Sequence, residues 1–302
     1  MKNQKRAVLT ALTAVLFWAT VASAFKIALG EMDHYHLLLF STIASVLVLL
    51  LLLLLQGRGK ELLKISPVDL RFSALAGLFN PFAYYLILFK SYSLLPAQIA
   101  QPLNYTWPIM LVLLSVPFLG QKADRKSLAA LALCMIGVVL ISSGGKLGSL
   151  ENPLGVFLAL FSAVIWGAYW IINMKDKREE SVKLFLNFLF GLIYVVLYGL
   201  IFADLSIPSA KGLASAAYVG VFEMGITFFL WSKALKTAES TASVSTLAYL
   251  SPLLSLIFIA LILKEAIALT TVAGLLIIIT GILYQKGLLK LPRKNPRPTD
   301  SR

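Results

Sequence analysis

Apolar residues in this chain gather into ten runs, at roughly 7–29, 36–55, 69–91, 94–118, 127–143, 153–173, 181–202, 212–233, 238–261 and 268–285. Most hold about 17–25 residues, the length at which an α-helix crosses about 30 Å of hydrocarbon. The fifth run is near the lower limit. Leu47 to Leu55 contains nothing but Leu and Val. That suits a helix facing lipid, whereas a transmembrane barrel needs short strands alternating polar and apolar residues. The break between the third and fourth runs is short and carries Pro96, which favours a tight turn. The first run follows Lys5 and Arg6, as a secretory signal does. It is long enough to span and nine more runs follow it, so it reads as the first membrane helix and not a cleaved segment. Every connector is short, which leaves no soluble domain, and 291–302 is a Pro-rich basic tail.

Charge orients these spans. When the connectors are assigned alternately to two compartments, the N-terminal side receives 22 of the 27 Lys and Arg residues. Only Lys26, Lys90, Lys146, Lys211 and Lys264 fall on the other side. This is the positive-inside bias of a polytopic membrane protein with both termini in the cytoplasm. The composition agrees: 59% of residues are hydrophobic, 14% are charged, and mean hydropathy is +0.85. The net charge of +13 is spread over short connectors, which points to topology and anionic lipid headgroups and away from nucleic acid. Cys134 is the single cysteine and lies inside a span, so an intramolecular disulfide and a thiolate cluster are excluded.

The chain also repeats itself. Leu16-Phe17-Trp18-Ala19 returns as Val164-Ile165-Trp166-Gly167. Gly77, Phe79 and Lys90 return as Gly220, Phe222 and Lys233, and Pro108 and Gly137 as Pro252 and Gly281, all at offsets of 143–148 residues. A five-helix unit crosses the membrane an odd number of times, so its second copy runs in the opposite sense. The expectation is an all-α polytopic membrane protein of ten transmembrane helices. Two inverted five-helix repeats, 1–148 and 149–290, precede the cytoplasmic tail. Many secondary transporters use such repeats to expose one central site alternately to either face.

Two motifs carry a resemblance. Asn104-Tyr105-Thr106-Trp107-Pro108, continuing to Gly120-Gln121-Lys122, is similar to bacterial aromatic amino-acid exporters, as is Ile165-Trp166-Gly167-Ala168-Tyr169. Across nearly its whole length the chain resembles the EamA-type drug/metabolite transporter superfamily. The resemblance implies a central cavity walled by helices one to four and six to nine, with helices five and ten as a scaffold. It also implies a prokaryotic inner-membrane location.

Within this frame a few side chains stand out. Glu223 lies mid-span, where an ionised carboxylate costs about 2.5–3.5 kcal/mol, and it invites either a wet cavity, a cation partner or protonation. Its repeat counterpart is Asn80, followed by Pro81; the pair is expected at the rim of a shared site. Gln98, Gln101, Tyr105 and Pro108 fall on one helical stripe, with Asn104 beside it, and lipid does not reward such polarity. Trp18 and Trp166 match across the repeat, and Trp107, Tyr84, Tyr169 and Tyr249 can join them in stacking or cation–π contact. Each has a structural alternative in helix packing or interhelical hydrogen bonding. Lys26, Lys90 and Lys233 are expected to snorkel to the membrane surfaces, and Gly137, Gly274 and Gly281 to allow close helix contact. His34 and His36 beside Glu31 and Asp33 lack the spacing of a designed metal site. No phosphate loop, nucleophile–base pair or cofactor fingerprint is present, so an enzyme is not expected. The reading is a permease for a small organic solute, foremost an exporter of amino acids or related metabolites, aromatic ones first. The alternatives are a carrier of cationic or quaternary amines using Glu223 and a membrane scaffold without transport. Proton coupling stays open, as does a monomer against a weak homodimer.

Overall fold

The computed structural model describes residues 2–120, 125–144, 146, 150–204, 206–239, 244 and 246–289. Gln121 and Lys122 of the exporter-like motif and the tail 291–302 lie outside these. Among the described residues all regular structure is helical. In chain order the helices are α1 (Gln4–Leu29), α2 (His34–Leu55), α3 (Pro67–Leu94), α4 (Ala97–Leu119), α5 (Lys126–Ser142), α6 (Pro153–Lys175), α7 (Glu180–Phe202), α8 (Ala210–Thr237), α9 (Leu247–Leu263) and α10 (Leu269–Gln285). Each apolar run of the sequence thus holds a helix. Seven of the helices are long and apolar enough to cross a membrane, while α5, α9 and α10 are shorter. Exposed Leu47, Leu51, Leu54 and Leu55 on α2 and Leu200, Ile201 and Phe202 on α7 form an apolar exterior that belongs in lipid. The molecule is an all-α, multi-pass membrane protein.

Helix starts follow from short polar residues that satisfy the free N–H groups of a first turn. Asn3 accepts from the Arg6 N–H, Asp33 from those of Tyr35 and His36, and Asn152 from that of Gly155. Ser66 and Asp69 form a reciprocal capping box at the start of α3, with Pro67 in its first turn. Gly120 ends α4 in a left-handed conformation, φ 66°, that a Cβ disfavours.

Packing follows side-chain size. Gly137 on α5 and Gly274 on α10 face each other so closely that a Cβ on either lies 2.6 Å from the other's carbonyl oxygen. The expected role of both glycines is therefore seen. Fully buried Ala7, Ala11 and Ala14 line the face of α1 that meets Trp231 and Ala234 of α8. Small residues let membrane helices approach this way without help from water.

Several spanning helices are interrupted. In α3 Asn80 is extended, φ −143° and ψ 119°, before Pro81, and the turn from Leu78 to Ala83 is wider than an α-helix. In α4 the regular helix pauses at Tyr105 and Thr106, because Pro108 offers no N–H to the carbonyl of Asn104. The stripe expected from Gln98 to Pro108 is thus split between two helical pieces. In α8, Val219–Ile226 forms a π-helical stretch that contains Glu223. Such wide turns recur at functional sites.

Candidate functional site

Where these interruptions meet, α1, α3, α4, α6, α8 and α9 enclose a cavity of about 240 Å³. Its wall is aromatic. Tyr84 stacks on Trp166 with ring centres 4.6 Å apart, and Trp166 meets Phe228 at 5.7 Å. Trp18 packs on Trp231 at 5.1 Å, Trp107 lies 6.4 Å from Trp170, and Tyr249 completes the lining.

Polar groups interrupt this wall at fixed points. The Tyr84 hydroxyl donates to Asn104 Oδ1 at 3.1 Å, and Asn104 Nδ2 donates to Ser162 Oγ at 2.9 Å. The Ser162 hydroxyl in turn donates to the Ala159 carbonyl at 2.7 Å, and the amide is held across α3, α4 and α6. The Tyr92 hydroxyl orients Gln101 in the same way, donating to its Oε1 at 2.9 Å. Tyr85 donates to Glu223 Oε1 at 3.0 Å, while Glu223 Oε2 is buried with no hydrogen-bond partner among the described residues. The wide turn around Glu223 is braced from α2, where Ser45 donates to the Met224 carbonyl at 3.0 Å. Thr227 donates its hydroxyl to the Phe222 carbonyl.

The two ends of the cavity differ. Trp231 and Lys286 place its mouth toward the end of the bundle where the N-terminus meets α8; there the Asn3 N–H donates to the Thr237 carbonyl at 2.9 Å. That end carries Glu179, which bonds Lys236 at 2.9 Å and faces Arg58 at 3.5 Å. The opposite end is tied shut. Lys26 Nζ donates to the carbonyls of Tyr92 and Leu95 at 3.0 and 3.1 Å, filling the C-terminus of α3. Glu265 accepts from the backbone N–H groups of Ala97 and Gln98 at 3.0 and 3.1 Å, filling the N-terminus of α4. Half-buried Lys26 thus directs its ammonium to helix-end carbonyls at this end of the bundle.

Nine of the twelve sequence-derived candidates, Trp18, Tyr84, Gln101, Asn104, Tyr105, Trp107, Trp166, Glu223 and Tyr249, line this cavity or the small chamber beside it. Gln98 does not. Its side chain crosses to the loop before α10, donating to the Ala266 carbonyl and accepting from the Ala268 N–H, both at 2.9 Å. Asn80 is fully buried away from both spaces, so it and Glu223 do not share a rim. The extended residue at 80 turns its side chain toward α6 and α7, where the Tyr169 hydroxyl lies between Asn80 and Asn187. Tyr169 reaches the cavity wall through Trp166, at 5.5 Å, and through Trp170, at 6.2 Å. Trp170, Phe228, Trp231 and Lys286 were not singled out, although Trp170 follows Trp166 by one helical turn on the same face. His36 Nδ1 pairs with Asp33 Oδ2 at 2.8 Å, an end-of-helix contact, and no cluster of three or more metal-binding side chains occurs among the described residues.

Comparison with known proteins shows the family and the fold. The sequence profile of the EamA-like transporter family matches twice, at residues 5–143 and 153–284. The chain belongs to the EamA-like transporter family. This EamA-like protein is 26% identical over 282 residues to an uncharacterized transporter of Clostridium kluyveri, covering 89% of each chain. It is 28% identical to an uncharacterized transporter of Archaeoglobus fulgidus, covering 94% of this chain and 98% of the relative. A protein of Ancylobacter novellus named aromatic amino acid exporter YddG is 24% identical over 256 residues, 84% of this chain and 87% of its own. A solved crystal structure superposes with a TM-score of 0.66 at 23% identity, over 95% of this chain and 98% of that one, and shares the fold. The EamA-like protein is therefore a secondary transporter of the prokaryotic inner-membrane type and not an enzyme, which removes the scaffold alternative.

Proposed function

We propose that this transporter moves amino acids or related small metabolites by alternating access, foremost as an exporter, with aromatic solutes preferred. One observation carries the reading: Trp18 and Trp166, matched across the internal repeat, stand in one aromatic cavity beside the oriented amide of Asn104. In this proposal the aromatic walls pack the solute's side chain by offset stacking. Gln101, Asn104 and Tyr105 meet its polar end. Residues 1–148 and 149–290 form two five-helix repeats of opposite orientation, a reading supported by the paired family matches. The shorter α5, α9 and α10 complete ten crossings with both termini in the cytoplasm, as the positive-inside bias favours. A mouth at the basic end then faces the cytoplasm, which suits loading for export. Two relatives named aromatic amino acid exporters, from Ancylobacter novellus and Escherichia coli, support the solute class.

The test is counterflow into proteoliposomes with labelled tryptophan, phenylalanine, threonine and choline. Tryptophan and phenylalanine are expected to accumulate well above protein-free vesicles. If neither does, the aromatic amino-acid assignment fails. Accumulation of choline alone would transfer the assignment to quaternary amines, a reading that draws on the partnerless oxygen of Glu223.

A further inference from the structure

Beside the aromatic cavity lies a second chamber of about 40 Å³. Trp18, Tyr84, Asn104, Tyr105 and Glu223 line both spaces, so the two adjoin. The chamber's other walls, among them Phe25, Tyr92 and Gln101, lead toward the end sealed by Lys26 and Glu265. It is the floor of the cavity.

The chemistry of that floor is one-sided. Glu223 Oε2 is a buried acceptor without a donor. The amide oxygens of Gln101 and Asn104 each take one tyrosine hydroxyl and keep a second lone pair. Among the described residues no Lys, Arg or His lines the chamber. The Gln101 amide N–H groups and the Tyr105 hydroxyl add neutral donors, so the one-sidedness lies in charge: a carboxylate and two carbonyl oxygens make a recognition set for a positively charged N–H donor. Size narrows the choice. A water needs about 10–15 Å³ of such space, so a chamber of about 40 Å³ admits roughly three to four heavy atoms. A primary ammonium with its first carbons fits easily, whereas a nitrogen bearing three methyl groups, itself four heavy atoms, takes all of that space before its link to the larger cavity is counted. The mouth adds a polarity. Among the described residues Lys286 is the one lysine on the cavity wall, its Nζ 5.1 Å from the centre of the Tyr249 ring at the opposite end. The field along the cavity thus runs from a positive mouth to a negative floor.

We propose that the small chamber is a primary-ammonium subsite, so that solutes are held amine-first, with the ammonium against Glu223 and the aromatic body in the larger cavity. The proposal rests on the amino-acid reading above and sharpens it: primary amines are accepted and quaternary ones refused.

Two measurements on the full chain test it separately from that reading. The first is carbodiimide labelling of Glu223 in the purified wild-type protein, read by peptide mass, with methylammonium or tetramethylammonium as protectant. Methylammonium is expected to slow labelling about fivefold or more, in keeping with charge-assisted hydrogen bonds, and tetramethylammonium to have little effect. Equal protection by both, or by neither, overturns the subsite. The second is counterflow with tryptophan, its N-trimethyl derivative and indole-3-propionate. Tryptophan is expected to exceed the other two by about tenfold, and Gln101→Leu to shrink both that ratio and the methylammonium protection. If tryptophan and its trimethyl derivative are carried alike, the subsite fails while the amino-acid reading stands. If no indole is carried yet methylammonium alone protects, the amino-acid reading fails while the subsite stands.

Discussion

Asn104 holds its place through a donor and an acceptor at once, so removing it has two costs. Asn104→Ala leaves the Tyr84 hydroxyl without its acceptor in a buried setting, a loss of about 1–3 kcal/mol. A lower melting temperature in detergent and a reduced tryptophan counterflow are expected together. Trp166→Ala acts otherwise. It removes stacking partners for Tyr84 and Tyr169, pairs worth about 0.5–1.5 kcal/mol beyond the area they bury. A rise of about three- to tenfold in KM for an aromatic solute is expected, with a smaller change for threonine; equal changes for both would argue against stacking. Sequence made the aromatic residues and Glu223 visible, because a carboxylate or a repeated Trp is conspicuous among leucines. It did not separate cavity wall from packing. Gln98 and Gln101 are one helical turn apart, yet one helps tie the sealed end and the other lines the floor. That difference is set by which loop comes back to meet α4, a contact about 170 residues away in the chain.

At the scale of helices, the pair α5 and α10 is held by size alone. Gly137→Leu forces its side chain into the Gly274 carbonyl and Ile278, so the helices must separate. A loss of about 1–3 kcal/mol or more is expected, read as a fall in melting temperature, with the KM of the correctly folded fraction kept. The existence of each helix was legible because a long apolar run in lipid leaves the backbone no alternative to bonding itself. The interruptions were only half legible. Pro81 and Pro108 marked two of them, but nothing in Val219–Ile226 announces a π-helical stretch beyond the glycines at 220 and 225. The carbonyl partners of Lys26 were not legible, because only the fold decides which free helix-end carbonyls come within its reach. The connector between α6 and α7 makes its own prediction. Burial alone would raise the pKa of Asp176, but hydrogen bonds and charge from Arg178, with Lys183, outweigh it and leave the carboxyl below its usual range. Burial likewise works against Glu179, and Lys236, the Ser181 N–H and Arg58 prevail, again lowering the pKa. A depressed folded pKa means stability that is complete above the unfolded value of about 4 and lost as pH falls through the folded one. Melting temperature should therefore hold from pH 7 to about 5 as far as these groups matter, and fall below about 4. Asp176→Asn should flatten that fall.

For the whole molecule, the proposed alternating access makes one closed end and one open end a single stage of a cycle. Glu265 and Gln98 join α4 to the connector before α10, and opening on that side requires these bonds to part. Lys286→Cys offers a readout: a membrane-impermeant maleimide should label it from the cytoplasmic face, and solute should slow the reaction. Labelling from outside only would reverse the proposed orientation. The shared flank of α5 and α10 has a further consequence. Leu128, Met135, Ile136, Val139 and Leu276 point outward from helices with 17 to 18 described residues. At 1.5 Å per residue such a helix covers only about 26 Å, short of a hydrocarbon layer of about 30 Å. Lipid beside this flank must thin to match it, at a modest cost for each ångström. The transporter should therefore work fastest in vesicles of shorter acyl chains and slow as the bilayer thickens, which makes the surrounding membrane's thickness a setting on its rate.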